Sequence, residues 1–167
     1  PHRKPVPVEA DVLPGEPAPG RETQAQPDLA ARTASFFSGG IDSFHTALVP
    51  RHVPVDDLLL VLGTFDLVSG HAASYERVRA KMQAAADAIG KTLVPVTTNQ
   101  MKTRMAASDP KHLAGGSMLA AVALALERRY ARVMTSAAAD PRGFDSATGH
   151  PYLTALRSTR RTRFVEE

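Results

Sequence analysis

The 167-residue chain is 43% hydrophobic, carries a net charge of +3 and has no cysteine. That length and apolar content suit one ordinary domain with a sizeable core. Without cysteine, disulfides, zinc–thiolate sites, cysteine nucleophiles and persulfide carriers are excluded, and the composition fits the cytoplasm. The longest apolar run, Met118 to Leu126, falls far short of a membrane span. No signal-peptide pattern opens the chain, and the start at Pro1 leads us to expect a native N-terminus upstream.

Residues 1–32 read as a proline-rich arm or linker. Pro1, Pro5, Pro7, Pro14, Pro17, Pro19 and Pro27 fix φ and cannot donate to a sheet ladder. Val6, Val8 and Val12 leave room for an edge strand there. A regular pattern spans 33–167. A strand is expected over 33–37 and a helix over 42–49, stopped by Pro50. The near-continuous apolar run Leu58-Leu59-Leu60-Val61-Leu62 reads as a strand buried on both faces of a parallel sheet.

Ser69 or Ser74 is the expected cap of the next helix, which runs to Ile89 with Tyr75, Val78, Met82, Ala85 and Ile89 as its buried stripe. Gly90 suits the C-terminal cap. A third strand is expected at 92–97, a cationic loop over 99–111, a helix over 113–130 and a fourth strand at 131–136. Residues 137–149 read as a loop, and 151–156 as a fifth short element. Strands alternating with helices predict an α/β fold, a parallel sheet with helices on both faces. Its ligands belong beyond the carboxyl ends of the strands, where residues 38–43, 64–66, 97–99 and 136–140 all fall.

The most informative stretch is Ser38-Gly39-Gly40-Ile41-Asp42-Ser43. A tight turn between a strand and a helix bares backbone N–H groups at the positive end of the helix dipole, which attracts phosphate. It is not the common P-loop, which needs four residues between its glycines and a Lys-Ser/Thr ending. It is not the dinucleotide fingerprint, whose third glycine is missing. Without a lysine, phosphate charge must be met by N–H groups, by the hydroxyls of Ser38 and Ser43, and by a metal ion. Asp42 alone would repel phosphate and makes sense as a Mg²⁺ ligand. The plain alternative is a strand–turn–helix junction with a Ser/Asp cap.

Residues 38–43 resemble the SGGxDS signature of the PP-loop ATP pyrophosphatase superfamily, the N-type, adenine-nucleotide alpha-hydrolase-like group. The likeness covers about residues 33–136 as architecture. Residues 36–48, 58–66 and 150–159 also look like a little-characterised bacterial PP-loop group. The resemblance implies a HUP/Rossmann-like three-layer sandwich with a parallel sheet of about five strands. It implies an enzyme using ATP and Mg²⁺. A substrate oxygen attacks the α-phosphorus, pyrophosphate leaves, and a nitrogen or sulfur nucleophile then displaces AMP. By the same resemblance Ser38, Gly39, Gly40, Ile41, Asp42 and Ser43 hold the nucleotide, with Asp42 and Ser43 catalytic. Gly63, Thr64 and Phe65 would border the adenine.

Lys102, Arg104 and Lys111 are candidates for a lid over the triphosphate, against the commoner role of solvated cations. Ser136, Asp140 and His150 are candidate substrate residues, as are His112 and Asp145, against loop or capping roles. Arg157, Arg160, Arg161 and Arg163 form a basic run that reads either as a solvated end or as a grip on phosphate. Two rival functions follow. One is a PP-loop tRNA-modifying enzyme that uses this run. The other is a non-catalytic ATP-binding module or partner-dependent subunit. The expected partner is a small-molecule substrate, with a homo-oligomer or partner subunit allowed for and no membrane.

Overall fold

A computed structural model describes residues 10–12, 32–49, 53–64, 72–107, 115–136 and 151–167. Five parallel strands make the body of one sheet: β2 (Thr33–Phe36), β3 (Asp57–Leu62), β4 (Thr92–Thr98), β5 (Arg132–Thr135) and β6 (Arg163–Glu166). The strand β1 (Ala10–Val12) pairs antiparallel with β4 at one edge, and the full order is β1-β4-β3-β2-β5-β6. The helices are α1 (Ile41–Leu48), α2 (Ala72–Ala88), α3 (Gly115–Ala125) and α4 (Pro151–Leu156). This is an α/β Rossmann-like sandwich.

Two cores on opposite faces of the sheet explain the unbroken apolar runs. Leu58 and Leu60 of β3 join Ala47 of α1 and Tyr75 and Ala86 of α2 on one face. Leu59 and Val61 join Ala120, Val122, Ala123 and Leu126 of α3 and its following turn on the other. Strand side chains alternate between faces, so a strand covered on both sides has no polar position to spare. The helices change face where the strand order changes direction. The chain lays β2, β3 and β4 outward one way, then returns across β2 to place β5 and β6, as right-handed crossovers require.

Several expected boundaries shift. Gly40, rather than a Ser or Asp side chain, caps α1, with extended φ −75° and ψ 160° and no side-chain cap bond. Ser69 lies outside the described residues, while Ser74 lies inside α2 and accepts from Arg77. Gly90 does end α2: at φ +66° it lets the Lys91 N–H reach back to the Ala86 carbonyl. Within the expected loop, Gln100–Lys102 and Arg104–Ala107 are wound into two 3₁₀ turns. α3 is shorter than expected because its last residues tighten into turns over 126–129. Residues 151–156 are helix, and the fifth parallel strand is instead residues 163–166, inside the arginine-rich run. Four arginines in seven residues masked an alternation in which Thr162 and Phe164 are buried.

Candidate functional site

The turn after β2 is held from three sides. Phe37 continues the strand, its N–H bonded to the Leu59 carbonyl at 2.9 Å. Phe44 in the first turn of α1 meets the Phe37 ring edge-on, with centroids 4.8 Å apart. The Ser43 hydroxyl donates to the Gly40 carbonyl at 2.7 Å. Gly39 sits at φ +81°, a conformation L residues rarely adopt, and a Cβ there would lie 2.6 Å from the Met82 sulfur of α2. The turn is therefore pinned between strand, helix and neighbouring helix before any ligand arrives.

What remains open points outward. Ser38, Gly40, Ile41 and Asp42 are exposed, Ile41 at 84%. Among the described residues nothing accepts a hydrogen bond from the N–H groups of Ile41, Asp42 or Ser43. Three donors at a helix N-terminus are thus without an acceptor among the described residues, those of Ile41 and Asp42 on exposed residues and that of Ser43 on a buried one, with the positive end of the helix dipole behind them. The Ser38 hydroxyl leans towards the Gly40 N–H at a long 3.5 Å. The single proton of the Ser43 hydroxyl is directed to the Gly40 carbonyl. In this arrangement it braces the turn rather than offering a donor.

The strand order gives the turn its neighbours. Order reverses between β2 and β5, which opens a crevice at their carboxyl ends, the place where such sheets take ligands. Ser136 follows β5 directly across that crevice. Its hydroxyl accepts from Thr46 of α1 at 3.1 Å, tying the first residue after β5 to the helix that carries the turn. Thr64 ends β3 on the other side and is buried. Gly63 makes a close backbone contact. At φ +97° its Cα is pressed on the Thr98 carbonyl, and a Cβ would come within 1.9 Å of that oxygen. It joins the ends of β3 and β4. Lys102 and Arg104 stand exposed on the 3₁₀ turns after β4, on the same edge. Phe65, Lys111, Asp140 and His150 lie outside the described residues, as do Asp66, His112 and Asp145.

Among the described residues no group of three His, Asp or Glu side chains could hold a metal ion. Asp42 supplies one exposed carboxylate. One carboxylate is a reasonable protein share for Mg²⁺ that arrives on a nucleotide, because that ion keeps waters and phosphate oxygens as its other ligands.

Three features escaped the sequence reading. Thr46, mid-helix in α1, is buried and holds Ser136. Gln100 reads as part of a polar loop but is fully buried at the end of β4. Its amide donates to the Met118 carbonyl at 2.9 Å, and its side-chain oxygen has no partner. Asp57 opens β3. It is 0% exposed and receives Arg32, the Tyr130 hydroxyl at 2.8 Å and, more distantly, Arg129 at 3.7 Å. Asp57 lies at the amino edge of the sheet. So do Arg160, Arg161 and Arg163, which precede or open β6, and they do not line the crevice.

The chain matches no family model, no curated protein and no solved structure. Among the described residues no helix is long and apolar enough to cross a membrane.

Proposed function

We propose that the chain is a cytoplasmic PP-loop ATP pyrophosphatase that adenylates a small-molecule substrate. One observation carries the reading. The turn at residues 38–43 presents three unpartnered N–H donors and an exposed carboxylate at the point where the strand order reverses. Fixed donors of this kind favour an anion without needing to reorganise as charge moves onto it.

In this reading the N–H groups of residues 41–43 and the Ser38 hydroxyl hold the β- and γ-phosphates. Asp42 would hold Mg²⁺, which neutralises charge on the phosphate oxygens. A carboxylate, amide or nucleobase oxygen of the substrate attacks the α-phosphorus in line. The bond from the α-phosphorus to the bridging oxygen breaks, and its electron pair leaves with pyrophosphate. A nitrogen or sulfur nucleophile then attacks the activated carbon and AMP departs. The chain's contribution is to position groups and to stabilise the leaving pyrophosphate, which needs no covalent catalyst. Ser136, tied to α1 through Thr46, stands across the crevice where the substrate would lie. Lys102 and Arg104, exposed on the turns after β4, would approach the phosphates from that side.

The test is incubation with ATP labelled at the α-phosphate, with Mg²⁺ and a pool of small carboxylates, amides and nucleobases. AMP and pyrophosphate are expected, together with an adenylated species seen by mass spectrometry. Asp42→Asn should lower AMP formation by about 100-fold, the scale of removing one electrostatic catalyst. ADP formation would overturn the bond assignment. Tight ATP binding without turnover would replace the enzyme with a binding module.

A further inference from the structure

The amino edge of the sheet carries a concentration of positive charge that the nucleotide site does not use. Arg132 and Arg163 are Cα partners in register on β5 and β6. Met134 and Val165, two residues on, both pack on the α1/α2 face, so the two guanidinium groups emerge on that same face at adjacent strands. Like charges placed opposite one another cost stability. Arg128 and Arg160 flank them, on the turn after α3 and the turn before β6, and both are exposed. Among the described residues none of these four side chains has an ion pair or hydrogen bond. Arg161 beside them makes only a long contact of 3.5 Å with Glu127 and stays 73% exposed.

We infer that this edge docks the phosphate backbone of a double-stranded nucleic acid. The four unneutralised cations are all arginine, whose planar fork takes two phosphate oxygens at once. Arg132 and Arg163 stand on adjacent strands about 4.8 Å apart, with Arg128 and Arg160 on the turns that lead to those strands, a grouping suited to a polymer of repeated charge. A bilayer surface is more often met by cations flanking the apolar face of a helix. From residue 32 before β2 to residue 38 after it the chain runs about 20 Å. A duplex held at this edge therefore stays clear of the nucleotide turn, and binding there is independent of ATP.

The test uses the full chain and a fluorescein-labelled 20-base-pair RNA duplex, followed by anisotropy at several potassium chloride concentrations. Four phosphate contacts predict a log–log salt slope near −3.6 and a loss of roughly 100-fold in affinity between 50 and 200 mM salt. Arg160→Gln with Arg163→Gln should make the slope shallower by about 1.8. Arg77→Gln with Lys81→Gln removes the same charge from the exposed side of α2 and should leave the slope unchanged. Mg²⁺–ATP should not compete, and Asp42→Asn should bind the duplex as the unaltered chain does. Equal losses in both double variants would overturn the inference, as would competition by Mg²⁺–ATP. So would binding to phosphatidylserine vesicles without binding to the duplex. Thermal unfolding of each variant separates lost docking from lost folding.

Discussion

The Asp57 cluster at the amino edge of the sheet and the turn at its carboxyl edge treat charge in opposite ways. At the amino edge Asp57 is buried and saturated. It faces Arg32 and the Tyr130 hydroxyl, with Arg129 stacked 5.5 Å over the Tyr130 ring. Nearby, Asp56 accepts the Thr33 N–H at 2.8 Å, and the Thr162 hydroxyl donates to the Tyr130 carbonyl at 2.7 Å. These contacts join the starts of β2, β3, β5 and β6. At the carboxyl edge Asp42 is exposed, and the N–H groups of residues 41–43 are unanswered. A saturated polar cluster has nothing left to bind with and serves the fold. An unsaturated one keeps its hydrogen-bonding capacity for a ligand.

That contrast predicts that substitutions in the Asp57 cluster change stability while those in the turn at residues 38–43 change chemistry. The largest effect belongs to Asp57→Ala, which strands two arginines and a phenol. Urea unfolding should show a loss of about 3–5 kcal/mol. A loss below about 1 kcal/mol would mean the cluster is not a clasp. Asp42→Asn is its counterpart. Its midpoint in the same urea titration should stay close to that of the parent chain while AMP formation falls, since exposed positions seldom affect folding strongly.

Gly39→Ala tests the border between the two kinds of site. Placing a Cβ at φ +81° should cost about 1–2 kcal/mol. Combining it with Met82→Ala removes the crowding but not the strain, so much of the cost should persist. Full recovery would assign the glycine to packing alone. The smallest effect is a slope with pH. Burial first, and then the Asp57 charge and hydrogen bond, raise the Tyr130 pKa well above the usual phenol range. The unfolded chain releases that proton near pH ~10 and the folded chain only later. Stability is therefore whole below pH ~10 and falls as pH rises past it, by up to ~1.4 kcal/mol per unit. Tyr130→Phe should flatten that alkaline decline. An unchanged slope would clear Tyr130 of responsibility.

How far each site was legible follows from the range of its interactions. The turn at residues 38–43 is local, because a strand, two glycines and a helix start are all contiguous. The helix spacing of Tyr75, Val78 and Met82 and the run at residues 58–62 were readable for the same reason. Gly63 was visible as a glycine but not as the contact point with Thr98, which is 35 positions away. The pairing of Thr46 with Ser136 spans 90 residues, and that of Asp57 with Tyr130 spans 73. No periodicity encodes such partners.

The sequence by itself determined the alternation of strands and helices, the two-sided burial of β3 and the strand–turn–helix junction at residues 38–43, because each rests on neighbours within a few residues. Tertiary structure alone decided that the turn opens at the strand-order reversal beside Ser136. It also decided that Asp57 is clasped and that the arginine run starts a strand at the opposite edge. Those outcomes depend on which strands lie side by side, and strand order is set by crossovers and packing over the whole chain.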